Sequence, residues 1–189
     1  AQSVGAWSKT GGVINPQGAV ARILAAGTAI DAGGSASGSY TADAYFSGGQ
    51  TVSVNRSIDT SGVSDPAGQS VYQTQRSGDF TYTIPNLIPN QPYVVRLDFA
   101  ELSVNAQGKR LFNVSINGSN VLSSFDLFAA AGGMDRAVSR EFQATTNASG
   151  QIVLNFSSQT GGPVVNGIKV TPAPDLARGK QATASTTEG

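Results

Sequence analysis

From Ile30 onward, apolar and polar residues alternate with a period of two in a series of separate runs. The clearest runs cover residues 80–84, 93–99, 112–116, 152–156 and 165–170. Because successive side chains of a β-strand point to opposite faces, each run predicts a strand with one buried face. Strands of this kind favour an all-β fold, an antiparallel two-sheet β-sandwich of the jelly-roll type.

Two Asn-Gly pairs mark places where strands turn or break. Asn117-Gly118 lies between two apolar runs and predicts a two-residue hairpin turn, since both residues accept a positive φ. The pair at residues 166 and 167 interrupts an apolar run and indicates a bulge. Two segments stay open: VARILAAG (20–27) fits a strand or a single helical turn, and FDLFAAAGGMDRAV (125–138) fits a helix that is marginal at that length.

The organisation along the chain predicts one domain with flanking segments. A chain of 189 residues is long enough for one well-buried core. We expect a Gly- and Pro-rich lead-in over residues 1–28, the sandwich over 29–172, and a linker with the start of a following module over 173–189, where Pro-Ala-Pro reads as a stiff connection. No run of about 18 apolar residues and no charged-then-apolar leader occurs, so no membrane insertion is expected.

Charge and composition exclude several classes of function. Twelve basic and twelve acidic residues give a net charge of zero, and only 13% of residues are charged, so no nucleic-acid partner is expected. The chain contains 0 Cys and 0 His, which excludes Ser-His-Asp and Cys-His catalysis and zinc sites that need imidazole or thiolate. We therefore expect no enzyme and no required cofactor.

Carboxylates are the remaining groups that carry chemistry. Glycoside cleavage needs two of them facing each other, yet Asp98 and Glu101 lie three residues apart on one run, and alternation sends them to opposite faces. The other acids are scattered singly, so a hydrolase is the least favoured class. Asp43 and Asp126 are the acids considered for a structural calcium ion, although no EF-hand loop is present.

Glu101 itself follows Phe99 with alternate spacing, so it shares the face of an apolar residue. A buried carboxylate needs a partner, because an unpaired charge costs several kcal/mol, roughly. Arg76 and Arg110 are the two candidates for that partner. We expect a structural ion pair of Glu101 with one of them, which would lock two strands together.

Aromatic rings are the other group of interest, because a sugar-binding surface exposes a ring against which a pyranose can pack. The rings outside the plainly alternating Phe positions are Trp7, Tyr40, Tyr45, Phe46, Tyr72, Tyr82 and Tyr93. Tyr45 and Phe46 are adjacent, so in a strand at most one of them is exposed. For every ring the alternative to a binding role is a place in the core.

Eight separated segments resemble a known family in order and spacing. They are IDAGG (30–34), ADAYFSGG (42–49), VYQTQR (71–76), FTYTIP (80–85), YVVRLDFAEL (93–102), GKRLFNVSING (108–118), FDLFAAAGG (125–133) and NGIKV (166–170). Together they are similar to the malectin-like carbohydrate-binding domains over residues 29–172. The resemblance implies a β-sandwich with a non-catalytic, lectin-like role, in bacteria as an attachment to secreted polysaccharide-degrading enzymes or surface proteins. The tail DLARGKQATAST resembles the first strand of a discoidin-like (coagulation factor type C) module.

The rings with which the animal malectin lectin holds its sugar can be carried over position by position. They fall on Ser77, Ser103, Val104 and near Val52, and the family's aspartate falls near Gly161. None of these residue types is kept, so malectin's own ligand is not expected. The carbohydrate-binding residues that the resemblance leaves at this edge are Ser77, Ser103, Asn105 and Gln107, with Tyr45 or Tyr72 as the remaining ring.

The sequence thus leads to an extracellular or cell-surface glycan-binding module of a larger bacterial protein, with a poly- or oligosaccharide and neighbouring domains as partners. The alternative is a structural spacer or protein-contact domain that keeps the fold but has lost the sugar site. Exposure of Tyr45, Phe46 and Tyr72 separates the two, because buried rings favour the spacer.

Overall fold

A computed structural model describes residues 27–174, which form ten strands and two short helices. The strands are β1 (Thr28–Asp31), β2 (Phe46–Ser53), β3 (Thr74–Ile84), β4 (Pro92–Ala100), β5 (Leu111–Ile116), β6 (Ser119–Asp126), β7 (Ala137–Thr145), β8 (Ile152–Thr160), β9 (Val164–Val165) and β10 (Gly167–Pro172). The helices are α1 (Gln69–Tyr72) and α2 (Leu127–Ala131). Each predicted run therefore lies in a strand.

The strands form two antiparallel sheets. The smaller sheet has the order β1-β10-β4-β7, and the larger has the order β2-β3-β8-β5-β6, with β9 paired to β3. The prediction of an all-β, two-sheet β-sandwich is confirmed. Apart from the β5–β6 hairpin, paired strands are far apart in sequence, so long-range pairing holds the fold together.

The core lies between the sheets and consists of the apolar members of the alternating runs. Those that are buried include Phe80, Tyr82, Ile84, Tyr93, Val95, Leu97, Phe99, Phe112, Val114, Ile116, Ile152, Leu154, Phe156, Ile168 and Val170. Phe125 from β6 packs against Phe99 and Phe112 with ring centroids 5.5 Å away in each case. The period-two pattern thus identifies the inner face of both sheets.

The predicted hairpin turn is present. Asn117 and Gly118 have φ values of 50° and 83°, and they join β5 to β6 where Ile116 pairs with Ser119. The segment that fits a helix contains α2, whose first turn is capped by Asp126 through a 3.0 Å bond from the Ala129 N–H. The helix ends at Gly132, which has a φ of 78°.

Asn166 does not mark a bulge, and that prediction is wrong. The chain leaves the larger sheet after β9 and enters the smaller sheet with β10, so Asn166 lies where one strand passes between sheets. Its wholly buried side chain accepts from the Ala100 N–H at 2.7 Å and donates to the carbonyls of Tyr72 at 3.0 Å and Thr74 at 2.6 Å. The amide thereby connects backbone groups of both sheets.

The segment VARILAAG, except for Gly27, and most of the tail fall outside the described residues. The expected lead-in over 1–28 and the linker with a following module over 173–189 stay predictions. Among residues 27–174, no helix is long and apolar enough to cross a membrane.

Candidate functional site

Glu101 and Arg110 organise the loop that joins β4 to β5. Arg110 Nε donates to Glu101 Oε2 at 2.7 Å, and both side chains are almost fully buried. Glu101 Oε1 also accepts from the N–H groups of Ser103 at 2.9 Å and Val104 at 3.0 Å. Of the two arginines expected as partners of Glu101, Arg110 is therefore the one that contacts it. The pair fixes the start and the end of the loop.

Arg76 has a different partner, which corrects the other half of that expectation. Its Nη2 lies 2.5 Å from Asp43 Oδ2, and its Nε lies 3.0 Å from the same oxygen. Asp43 also accepts from the Gly33 N–H and from the Tyr82 hydroxyl, both at 2.7 Å. Burial is the main cause of the raised pKa of Tyr82, and the hydrogen bond to this carboxylate raises the pKa further. Asp43 thus ties the β1–β2 connection to β3.

The two acids considered for calcium both bind protein donors. Asp43 holds Arg76 and Tyr82, and Asp126 accepts from the N–H groups of Ala129 and Gly108. In the part of the chain that the structure describes, no three acidic residues come together to hold a metal ion. The geometry therefore gives no support to a calcium site.

Tyr45 and Phe46 are both exposed, at 49% and 42% of their surface, so the expectation that at most one ring is exposed is wrong. The reason is the backbone: Tyr45 has a φ of 65°, which breaks the alternation just before β2 begins. The Arg76 guanidinium carbon lies 3.3 Å from the centroid of the Phe46 ring. We call Tyr45, Phe46 and Arg76 the aromatic corner.

Tyr72 is buried, and the expectation that it supplies an exposed ring is corrected. It is 0% exposed, and its hydroxyl donates to Asp98 Oδ1 at 3.2 Å. Asp98 also accepts from the Tyr40 hydroxyl at 3.1 Å and from Arg96 Nε at 3.0 Å. Burial raises the pKa of Tyr72 to about 12. This network joins α1 to β4 and is structural.

The remaining expected residues form a polar border that we call the loop edge: Ser77, Ser103, Asn105 and Gln107. Ser103, Asn105 and Gln107 are exposed on the β4–β5 loop, while Ser77 is half-buried on β3. The segment 161–163 packs against both sides, since the Gly78 N–H donates to the Pro163 carbonyl at 3.1 Å and Arg110 donates to the Gly162 carbonyl. The structure therefore brings these positions to one end of the sandwich.

The glycines beside the loop edge leave little room for larger side chains. A Cβ atom on Gly162 would lie 3.1 Å from Gly78 Cα, and one on Gly161 would lie 2.7 Å from the Lys109 carbonyl oxygen. Ser77 pairs with Gln50, five residues beyond Tyr45 along β2, a span of about 16 Å at strand spacing. The exposed Tyr45 is therefore separated from the loop edge, whereas Arg76 of the aromatic corner directly precedes Ser77 along β3.

Three buried carboxylates have roles that sequence reasoning missed: Asp31, Asp43 and Asp98. Asp31 accepts from the Thr74 hydroxyl at 2.6 Å, and its burial raises its pKa from 3.8 to about 6. Asp31 lies in β1 next to Ile30, so a charged residue at a buried strand position was the available signal. All three are bonded to protein donors rather than free to act on a substrate.

The geometry can be compared with known proteins. The family model described as "Malectin domain" matches residues 20–171. The chain belongs to the malectin domain family. Malectin domains are glycan-binding domains without catalytic activity, so this one is not an enzyme.

Among the sequence relatives of this malectin domain is the kinesin-like protein KIN-14E of Oryza sativa subsp. japonica, 31% identical over 153 residues. The match covers 74% of this chain but 14% of that protein, so the domain spans a small part of its relative. Other relatives come from Arabidopsis thaliana and Xenopus laevis, and the expected bacterial origin finds no support among them. The family match ends at residue 171 and gives no support to a discoidin-like module.

Solved structures share the fold. The ectodomain of ANX2 from Arabidopsis thaliana superposes with a TM-score of 0.68 at 18% identity, over 79% of this malectin domain and 50% of that chain. The β-glucuronidase of Bacteroides uniformis superposes with a TM-score of 0.61 at 20% identity, over 78% of this domain and 18% of that enzyme. Both show the same sandwich as one part of a longer chain.

Proposed function

We propose that this malectin domain is an extracellular, non-catalytic module that binds an oligo- or polysaccharide at the aromatic corner, with the loop edge as a second contact. The observation that carries the proposal is the joint exposure of Tyr45 and Phe46. Large rings at the surface of a soluble domain supply the apolar platform that a pyranose needs. Arg76 beside Phe46 is fixed by Asp43, so the platform is rigid before a ligand arrives.

The loop edge adds hydrogen-bonding groups without a ring. The hydroxyl of Ser103 and the amides of Asn105 and Gln107 are exposed on a loop that the Glu101–Arg110 pair holds in place. Burying one ring is worth roughly 1.5–3 kcal/mol, so a surface without rings binds weakly by itself. The aromatic corner is therefore expected to dominate affinity and the loop edge to adjust selectivity.

The proposal includes a larger secreted or cell-surface parent protein. The similarity in fold to a receptor ectodomain and to one part of a glycoside hydrolase supports this setting. A bacterial, polysaccharide-degrading parent with a discoidin-like module after residue 172 is the most specific form of this proposal. Sequencing the whole gene that encodes the chain, including the coding sequence on either side of it, tests this form of the proposal directly.

A structural spacer or protein-contact domain is the second candidate. The burial of Tyr72 and the absence of rings at Ser77 and Ser103 favour it, because the positions that grip sugar in animal malectin are small or polar here. This candidate needs no ligand and accounts for the conserved architecture by stability alone.

A glycan-array screen followed by calorimetry on each hit separates the two functions. Binding of at least one neutral or charged glycan with a dissociation constant in or below the millimolar range supports the binding module. A millimolar dissociation constant corresponds to a binding free energy of about −4 kcal/mol. No binding to α- or β-glucans, galactan or chitin overturns it and favours the spacer. The same polymers, incubated with the protein and assayed for new reducing ends, are expected to show none above the buffer blank.

A further inference from the structure

The outer face of the larger sheet carries a row of small polar residues that crosses five strands. The strand registers place these residues side by side: Ser47 on β2, Thr81 on β3, Asn155 on β8, Ser115 on β5 and Asn120 on β6. On β3, β5 and β8 the apolar neighbours of these residues point into the core, and all five residues of the row are exposed or partly exposed, so the row faces outward. Adjacent strands lie about 4.8 Å apart, which gives the row a regular spacing.

Neighbouring rows continue the same chemistry. Thr83 pairs with Val153, and Asn113 pairs with Ser157. Next to Val153 the surface contains a depression of about 460 Å³ lined by Asn117, Gly118, Thr145, Asn147 and Val153. None of these side chains carries a charge.

The strands of the larger sheet contain three charged residues, and each is bonded within the protein. Arg76 pairs with Asp43, Asp79 accepts from the Ser158 N–H at 2.8 Å, and Asp126 caps α2. The strands of the smaller sheet contain six charged residues: Asp31, Arg96, Asp98, Arg140, Glu141 and Lys169. Asp31, Arg96 and Asp98 are buried, so Arg140, Glu141 and Lys169 are the charged residues of these strands that reach the surface.

Several hydroxyl groups on this face have no partner among the described residues: those of Ser47, Thr83, Ser115 and Ser157. Asn155 Nδ2 donates to the Thr81 hydroxyl at 3.0 Å, which orients the centre of the row. The face offers hydroxyl and amide groups, and the strands of this sheet present no exposed cation for an anionic ligand among the described residues.

We propose that this face binds a neutral, extended polysaccharide chain through hydrogen bonds to its hydroxyl groups. Single hydrogen bonds to a water-exposed ligand contribute little, so the face favours a polymer that contacts several rows at once over a free monosaccharide. The inference rests on the proposed glycan-binding function. It adds a third binding surface to the aromatic corner and the loop edge.

Retention of the 189-residue chain on microcrystalline cellulose, chitin and agarose tests the inference, with soluble polygalacturonate as the anionic polymer in gel-shift electrophoresis. Asn155→Lys and, as an independent variant, Ser115→Lys place a hydrated charge in the row. Gln143→Lys makes a matched change on the exposed surface of β7, in the other sheet. Tyr45→Asn probes the aromatic corner, and circular dichroism with thermal melting confirms that each variant is folded.

We expect the wild type to bind at least one neutral polymer, and Asn155→Lys and Ser115→Lys each to weaken that binding about tenfold while Gln143→Lys leaves it unchanged. Equal loss in Gln143→Lys, or stronger binding to polygalacturonate than to the neutral polymers, overturns the inference. If only Tyr45→Asn weakens binding, the inference fails and the proposed function stands. If no polymer is retained and the glycan array is also blank, both fail.

Discussion

Arg110 Nε donates to Glu101 Oε2 at 2.7 Å, with the arginine side chain 6% exposed and the glutamate wholly buried. The same carboxylate holds the N–H groups of Ser103 and Val104. One buried ion pair thus determines the shape of the loop on which three of the four loop-edge residues lie. The loop edge depends on this pair for its geometry, although neither partner is exposed to a ligand.

Replacing Arg110 by Met leaves the Glu101 charge buried without its partner. We expect Arg110→Met to lower the free energy of unfolding by about 3–5 kcal/mol. Adding Glu101→Gln removes the charge and keeps an acceptor for the Ser103 N–H, so the double variant should recover about 1–2 kcal/mol. Urea denaturation of both variants measures this difference.

The exposed pair of Arg136 and Asp59 is the control, because its atoms are 3.5 Å apart and the side chains are 48% and 47% exposed. Arg136→Met should change stability by less than about 1 kcal/mol. A double variant that is less stable than Arg110→Met would contradict the role of the buried charge.

Asn166 is expected to be among the most sensitive polar positions. Asn166→Ala leaves the Ala100 N–H and the carbonyls of Tyr72 and Thr74 without their partner, and should cost about 3–5 kcal/mol. Asn166→Asp turns an acceptor toward two carbonyls and should be at least as damaging. Thermal and urea unfolding check both variants, with exposed Asn120→Ala as the control; loss below about 1 kcal/mol for Asn166→Ala would refute the linking role.

Asp31 should make stability depend on pH. Burial raises its pKa from 3.8 to about 6, so between these values the native carboxyl keeps its proton while the unfolded one ionises. The native state binds more protons there, and stability from this group falls as pH rises from about 4 to about 6, then stays level. The total is roughly 2–3 kcal/mol.

Asp31→Asn removes this titration and keeps an acceptor for the Thr74 hydroxyl. Relative to the wild type, the variant should gain stability steadily between about pH 4 and pH 6 and keep a constant difference above that. Urea denaturation at pH 4, 5, 6 and 7 measures the two curves. Parallel curves across this range would show that Asp31 titrates normally.

Tyr45→Asn tests the aromatic corner without disturbing the backbone, because asparagine tolerates a positive φ better than most residues. We expect glycan affinity to fall about 10- to 100-fold, the equivalent of losing one partly buried ring. Gln143 is exposed on β7, in the other sheet and outside the proposed surfaces, so Gln143→Ala should leave affinity unchanged. Calorimetry with the best glycan-array hit measures both; unchanged affinity in Tyr45→Asn would remove the corner from the site.

The site was less predictable from sequence than the fold. The position of the loop-edge residues at one end of the sandwich was predictable, because the family resemblance aligned their segments. The burial of Tyr72 was not predictable from the alternation of apolar and polar residues, because it lies on the one-turn helix α1, from which its hydroxyl donates to Asp98. The joint exposure of Tyr45 and Phe46 was not predicted, because the alternation rule assumes an extended backbone and Tyr45 has a left-handed backbone conformation.

The alternation of apolar and polar residues by itself determined the central strands of both sheets and their inner faces, and Asn117-Gly118 determined the hairpin, because these depend on local backbone geometry. The edge strands β2 and β6 do not alternate in burial and were not predicted. Family membership could also be recognised from the sequence, since separated segments keep their order and spacing. Only the tertiary structure decided that Arg110 rather than Arg76 binds Glu101 and that Ser47 and Asn120 end one row across five strands. Those contacts join residues that are far apart in sequence. Their geometry follows from the strand register, which no short stretch of sequence determines.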